Sequence, residues 1–157
     1  MWCGDVKCVR TARVADAARA CAVLRRSITE LCVADHGNDR MSLEQWLANK
    51  TPENVTAWIE AKGQELVIAE EAGEVLGVGA ASAAGEILLN YVSPDARFRG
   101  VSKAILLHLE TYVLAQGGKK SFLSSTLTAH RFYLASGYED AGEPELWAGM
   151  SAQPMIK

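Results

Sequence analysis

The chain has 157 residues, 49% of them apolar and 22% charged, the composition of an ordinary globular protein. That excludes a disordered chain, a collagen-like chain and a small disulfide scaffold, and a length near 150 points to one domain spanning residues 1–157. A net charge of −3 gives no basic field for nucleic acid and mildly suits cationic partners.

The four cysteines are too few for a disulfide framework. Cys21 and Cys32 fall in a helical apolar pattern, where a thiol acts as a small hydrophobe. Cys3 and Cys8 lie near the start, and no Cys-x-x-Cys pair occurs. His36, His108 and His130 are scattered, so no metal site is expected. Met1–Asp5 lacks the basic and apolar regions of a signal peptide. The longest uncharged stretch, Val75–Gly85, falls well short of the ~20 residues that span a bilayer. A cytoplasmic protein with no membrane partner is expected.

Val6–Arg13 reads as a first strand. From Asp16 the spacing turns helical, with Ala17, Cys21, Leu24, Ile28, Leu31 and Cys32 on one face. Asp16 suits the positive end of that helix. The run from Asp35 to Arg40 breaks the helix with turn residues. Ser42 then opens a second helix, with Gln45 as its capping-box partner. Thr51-Pro52 opens a third, which Gly63 ends. Trp46 and Trp58 on these helices would serve as the floor of a pocket or, the preferred reading, as packing residues.

Three strands follow, Leu66–Ala69, Val75–Ala81 and Ile87–Val92, joined by short turns as an antiparallel meander. After Pro94 the period is helical again, with Val101, Ile105, Leu109 and Val113 on one side and Gly117-Gly118 as the stop. Lys119–Ser125 reads as a strand, Thr128–Ser136 as a helix capped by Gly137, and Glu145–Met150 as a last strand. A strand, helix and strand in the centre imply a parallel crossover within an otherwise antiparallel sheet. The fold class is mixed α/β (α+β).

The segment from Tyr91 to Ala104 carries the chemistry. It puts Arg97, Arg99, Gly100, Ser102 and Lys103 between a strand end and a helix start. The N–H groups of a helix's first turn lack partners and carry partial positive charge, so the place suits phosphate. Gly100 leaves room for close approach. The spacing is neither a P-loop nor a dinucleotide fingerprint. The same residues also make an ordinary strand-to-helix turn with solvated arginines.

Arg97-x-x-Gly100-x-Ser102 resembles the Q/R-x-x-G-x-G/A acyl-CoA signature of the GNAT superfamily of N-acyltransferases. Val92-x-Pro94 before it and Ala104-Ile105-Leu106 after it fit the same surroundings. Ala129-His130-Arg131-Phe132-Tyr133-Leu134-Ala135-Ser136-Gly137-Tyr138 is similar to the family's A-x-x-F/L-Y-x-x-x-G-F/Y segment. The order of elements matches over essentially the whole chain. Two departures stand out. Ser102 replaces a Gly or Ala, and Thr126 replaces an asparagine that many members carry.

The resemblance implies a GNAT-like fold, with a mostly antiparallel sheet, a central parallel pair splayed around the cofactor, and helices on both faces. It implies acetyl transfer from acetyl-CoA to an amine by direct attack in a ternary complex. The splayed strands would be Ile87–Val92 and Lys119–Ser125. Tyr91, Val92, Arg97, Phe98, Arg99, Gly100, Val101, Ser102 and Lys103 would hold the cofactor, with Thr126 and Ala129 across the gap. Tyr133 matches the general acid that protonates the departing thiolate.

Glu86 and Asn90 lie where many members place a base or a water ligand. Asp35 and His36 fall where the acceptor pocket lies, although as residues they also make a solvated turn. His108 reads as a core or surface residue, and His130 sits one turn before Tyr133. The acceptor would be a small-molecule or peptide amine, and an exposed sheet edge near the C-terminus could pair two copies as a homodimer. A non-catalytic acyl-CoA-binding module is the alternative.

Overall fold

The computed structural model describes residues 8–157. Residues 6 and 7 of the expected first strand and Cys3 lie outside them. The described part of that strand is β1 (Cys8–Thr11), and Cys8 is disulfide-bonded. A short 3-10 turn leads into α1 (Ala17–Leu31), which buries Ala20, Cys21, Leu24 and Ile28. Asp16 anchors this start. Its carboxylate accepts from the Arg13 backbone N–H at 2.7 Å and from both terminal nitrogens of Arg10 at 2.9 and 3.0 Å. Arg10 also reaches Glu70 at 2.8 Å, so one guanidinium ties the first strand and helix to the sheet.

The expected break contains a further turn of helix, α2 (Val33–His36), before Gly37 and Asn38 reverse the chain at φ 56° and 59°. Helix α3 (Arg40–Leu47) is capped three residues earlier than the sequence suggests. Asp39 is its cap, accepting from the Ser42 N–H at 2.9 Å, and a charged acceptor outcompetes the Ser42–Gln45 pairing. Helix α4 (Pro52–Glu60) opens as expected, with the Thr51 hydroxyl accepting from the Asn54 N–H.

Strands β2 (Gln64–Glu71), β3 (Glu74–Ser82) and β4 (Ile87–Val92) extend β1 into an antiparallel sheet ordered β1-β2-β3-β4. Helix α1 and α4 cover one face, and α5 (Val101–Ala115) covers the other. Two glycines set the depth of α5. A Cβ on Gly77 or Gly79 would lie 2.7 or 2.3 Å from the Ile105 side chain, so the helix rests against bare backbone there.

The second sheet comprises β5 (Phe122–Ser125), β8 (Met150–Ile156) and β6 (Glu139–Asp140), with β7 (Glu145–Trp147) on β8. Between β5 and β6 lies α6 (His130–Ala135), two residues later at its start than expected. The expected last strand is two strands of a hairpin. Ala148 and Gly149 turn it at φ 52° and 77°, with Trp147 opposite Met150, the geometry that suits the twist of a tight hairpin. The apolar run conceals that turn because Ala148 carries no turn signal.

The two sheets meet at one parallel bridge between Glu86 and Phe122, beside a 3.0 Å hydrogen bond from the Phe122 N–H to the Gly85 carbonyl. Past it, β4 and β5 share no ladder among the described residues. The expected splayed parallel pair is the structure's central feature.

Candidate active site

The splay is a wedge closed at Glu86–Phe122 and open toward the C-terminal ends of β4 and β5. Its mouth is a cavity of about 290 Å³. Asn90, Tyr91 and Val92 of β4 form one wall, and Thr126, Ala129 and Tyr133 form the other. Arg97, Phe98, Gly100, Val101, Ser102 and Lys103 form the rim. Twelve residues expected from the sequence therefore converge here.

The rim is built by local backbone geometry. Ser93 caps a 3-10 turn, Pro94–Ala96, through a 3.2 Å bond from the Asp95 N–H to its hydroxyl. The chain then reaches Gly100 at φ 76°, the N-cap of α5. The first-turn N–H groups of that helix have no intrahelical acceptor and point past a residue without a side chain. Arg97 lies over the Phe98 ring at 4.7 Å. Phe98 itself is 93% exposed at φ 60°.

Arg99 turns away from the cavity and pairs with Glu71. Among the described residues the cradle therefore has two cations on its wall, Arg97 and Lys103.

Tyr133 sits deep in the wedge, 7% exposed, with its ring against Phe132 and Tyr138. Burial pushes its hydroxyl up to about 12, and the Asn90 side chain offsets part of that rise. The hydroxyl is thus protonated across the physiological range. Asn90 donates from Nδ2 to the Ser102 carbonyl at 3.3 Å. Because that carbonyl can only accept, the amide orientation is fixed, and Oδ1 is left buried with no partner among the described residues.

Other expected residues stand elsewhere. Glu86 is at the closed end of the wedge, where its N–H donates to the Ser82 hydroxyl. His36 is 2% exposed, with Nε2 at 2.9 Å from the Ile28 carbonyl and Nδ1 accepting from the Asn38 N–H. Both ring nitrogens are spent inside α1–α3. Asp35 accepts from the Leu127 and Thr128 N–H groups at 2.6 and 3.2 Å and from the Thr128 hydroxyl. It thereby holds the loop that leads into Tyr133. Thr126 accepts from the Ala129 N–H at 3.1 Å, supporting the same loop. His130 is turned to Asp140 at 2.7 Å and His108 to Glu65 at 3.5 Å.

Sequence reasoning missed the helical wall of the cavity. Ser27, Leu31 and Cys32 close it from α1, and Phe132 closes it from α6. An amphipathic face that lines a site looks the same in sequence as one that lines a core. Burial pushes the Cys32 thiol up to about 12, so it is no thiolate nucleophile at neutral pH.

A second cavity, about 330 Å³, opens on the other side of Tyr91 and Thr126, which border both spaces. Trp46 and Lys50 form its floor, Asp35 and Ser125 one side, and Glu145, Trp147 and Met150 of the β7–β8 hairpin the other. Of these, Asp35, Tyr91 and Thr126 were singled out with the help of the family resemblance, and Trp46 was read as a packing residue.

The family model of the acetyltransferase (GNAT) domain matches residues 31–157. The chain belongs to the GNAT acetyltransferase family. Solved structures share the family fold. A GCN5-related N-acetyltransferase from Rhodopseudomonas palustris superimposes with a TM-score of 0.86 at 23% identity, over 100% of this chain and 98% of that one. The PaiA N-acetyltransferase of Thermoplasma acidophilum, solved in complex with coenzyme A, gives 0.82 at 18% identity over 96% and 98%. The ribosomal-protein-S18-alanine N-acetyltransferase of Escherichia coli gives 0.66 at 15% identity over 96% and 92%. None of the curated proteins matches this GNAT chain in sequence. No helix among its described residues is long and apolar enough to cross a membrane.

Proposed function

We propose that this GNAT acetyltransferase moves an acetyl group from acetyl-CoA to an amine by direct attack, with Tyr133 as general acid. One observation carries the reading: the wedge between β4 and β5 has a phosphate-compatible helix start at its rim and a buried, protonated tyrosine at its depth. A structural neighbour solved in complex with coenzyme A supports the choice of donor.

Acetyl-CoA would supply the acetyl group as a thioester: the amine nitrogen bonds to the carbonyl carbon as the C–S bond breaks, the nitrogen loses a proton and the sulfur gains one. Arg97, Lys103 and the first-turn N–H groups of α5 would hold the diphosphate. The unladdered edge of β4 from Asn90 to Val92 would offer backbone groups to the pantetheine arm. Tyr133 would give its proton to the sulfur. Asn90 Oδ1 is an acceptor without useful basicity, so its part would be to hold a water, or an amine N–H, beside the reacting carbon. No acylated enzyme is needed, since the cavity's cysteine is held as the thiol.

The test is thiol release from acetyl-CoA across a panel of amines. Tyr133→Phe should lower turnover by ~10²–10⁴-fold while leaving acetyl-CoA binding intact. Binding without thiol release for any amine would favour a non-catalytic acyl-CoA-binding module instead.

A further inference from the structure

Lys50 is a buried cation that the acetyl-transfer chemistry leaves unused. It follows α3, and the residue is only 8% exposed. Nζ donates to the Asn49 side-chain oxygen at 2.7 Å and more loosely to the Trp46 carbonyl at 3.5 Å. An ammonium has three donors, so one has no acceptor among the described residues. No carboxylate there forms an ion pair with it. Such a group is costly to bury, and proteins normally supply an anion.

Its backbone is firmly placed. The Lys50 carbonyl accepts from Arg25 Nη1 at 2.9 Å and from the Cys21 thiol at 3.2 Å. Lys50 lines the second cavity and also a neighbouring one of about 330 Å³ that runs along Trp58, Gln64 and Leu88. It therefore stands at the junction of the two spaces. The second cavity reaches the reaction wedge at Tyr91 and Thr126. The carboxylate on its hairpin rim is Glu145, which is exposed, while Asp35 is engaged by the Leu127–Thr128 loop.

The arrangement is thus bipolar: a cation on the floor, and an acid at the hairpin rim. We propose that the acceptor taken by this cavity is a small amine that also carries a carboxylate, with the carboxylate bound by Lys50 and the amine directed past Tyr91 to the thioester. This inference rests on the acetyl-transfer reading above. An amino acid is the simplest compound of that class, and a cavity of about 330 Å³ falls in the size range of small-molecule sites. Burial lowers the Lys50 pKa, and a bound carboxylate would reverse that pull.

The experiment measures kcat/KM for the common amino acids, each beside its own carboxamide, in the native protein and in Lys50→Met. The native protein should prefer at least one acid over its amide by about tenfold or more, the worth of a charge-assisted bond. Lys50→Met should abolish that preference by raising the acid's KM far more than the amide's. A second measurement needs no variant. On adding the N-acetyl amino acid to the native protein, the NMR signals of the Lys50 ε-CH₂ and Nζ should shift, and the N-acetyl carboxamide should not move them. Equal or better use of the amides, or a preference that survives Lys50→Met, overturns the proposal. Thermal stabilisation by acetyl-CoA is recorded in parallel. If it is present while these results fail, only the acceptor assignment falls. If it is absent, the acetyl-transfer reading falls and takes the proposal with it.

Discussion

Substituting Gly77 by alanine tests how the cofactor rim is positioned. The new Cβ would stand 2.7 Å from Ile105 Cδ1, 2.8 Å from Val101 Cγ1 and 3.0 Å from the Tyr91 carbonyl oxygen. Val101 and Ile105 are buried, so they cannot swing into solvent, and the carbonyl is backbone within the β3–β4 pairing. Relief requires α5 to lift from β3. Overpacking of this kind costs about 1–3 kcal/mol, which for a chain of this length lowers Tm by roughly 2–12 °C. Because Val101 is the first residue of α5 and lies on the cavity wall, the shift also opens the rim, and the stabilisation given by acetyl-CoA should shrink. Gly79→Ala, whose Cβ would meet Ile105 Cγ2 at 2.3 Å and Leu109 at 3.1 Å, is the comparison. It should lower Tm at least as much while disturbing acetyl-CoA binding less. Differential scanning fluorimetry with and without acetyl-CoA reads both effects. An unchanged Tm in Gly77→Ala would refute the claim that bare backbone sets the depth of α5.

The remaining predictions concern charges. Arg97→Ala should weaken acetyl-CoA binding about tenfold, whereas Arg99→Ala, whose guanidinium pairs with Glu71, should leave the affinity nearly unchanged; titration calorimetry separates them. Asp35→Ala removes the acceptor for three donors of the Leu127–Thr128 loop. Its cost should be about 1–3 kcal/mol, with faster amide exchange at Leu127 and Thr128 and a fall in kcat as Tyr133 loses its support. Asp16 is held down from 3.8 to about 2, first by its hydrogen bonds to Arg10. A depressed carboxylate stabilises the fold above its unfolded value, and that stability is lost as pH falls through the folded one. Resistance to urea should therefore fall as pH drops from about 4 to about 2, and Asp16→Asn should flatten the curve in that window.

What the sequence made legible was whatever local chemistry writes into it. Thr51-Pro52, the short apolar runs of β2 to β4 between turn residues, and the Arg97–Lys103 turn each combine a backbone requirement with a residue type that meets it. Tyr133 and Thr126, far apart from Asn90 in the chain, were placed opposite it only through the family resemblance, since spacing alone says nothing about which strands splay. Arg99 shows the limit of counting cations: a neighbour on another strand, Glu71, decides where it points. His36 shows the same for turns. A histidine among Asp, Gly and Asn suggests a wet loop, but the extra turn of α2 folds it onto the Ile28 carbonyl. Lys50 and the β7–β8 hairpin were not readable, because the second cavity exists only where α3, β4 and the C-terminal sheet converge.

The most direct test of the central claim is thermal unfolding in saturating acetyl-CoA, with ADP as the phosphate control. At 100 times its dissociation constant a ligand of the folded state adds ~2.7 kcal/mol, a rise of roughly 5–10 °C at this chain length. Acetyl-CoA should produce that rise and ADP much less, since ADP reaches the rim formed by Arg97, Gly100 and Lys103 but not the wedge between β4 and β5. No rise at millimolar acetyl-CoA would contradict the account, leaving the rim a strand-to-helix turn and the wedge a gap between two sheets.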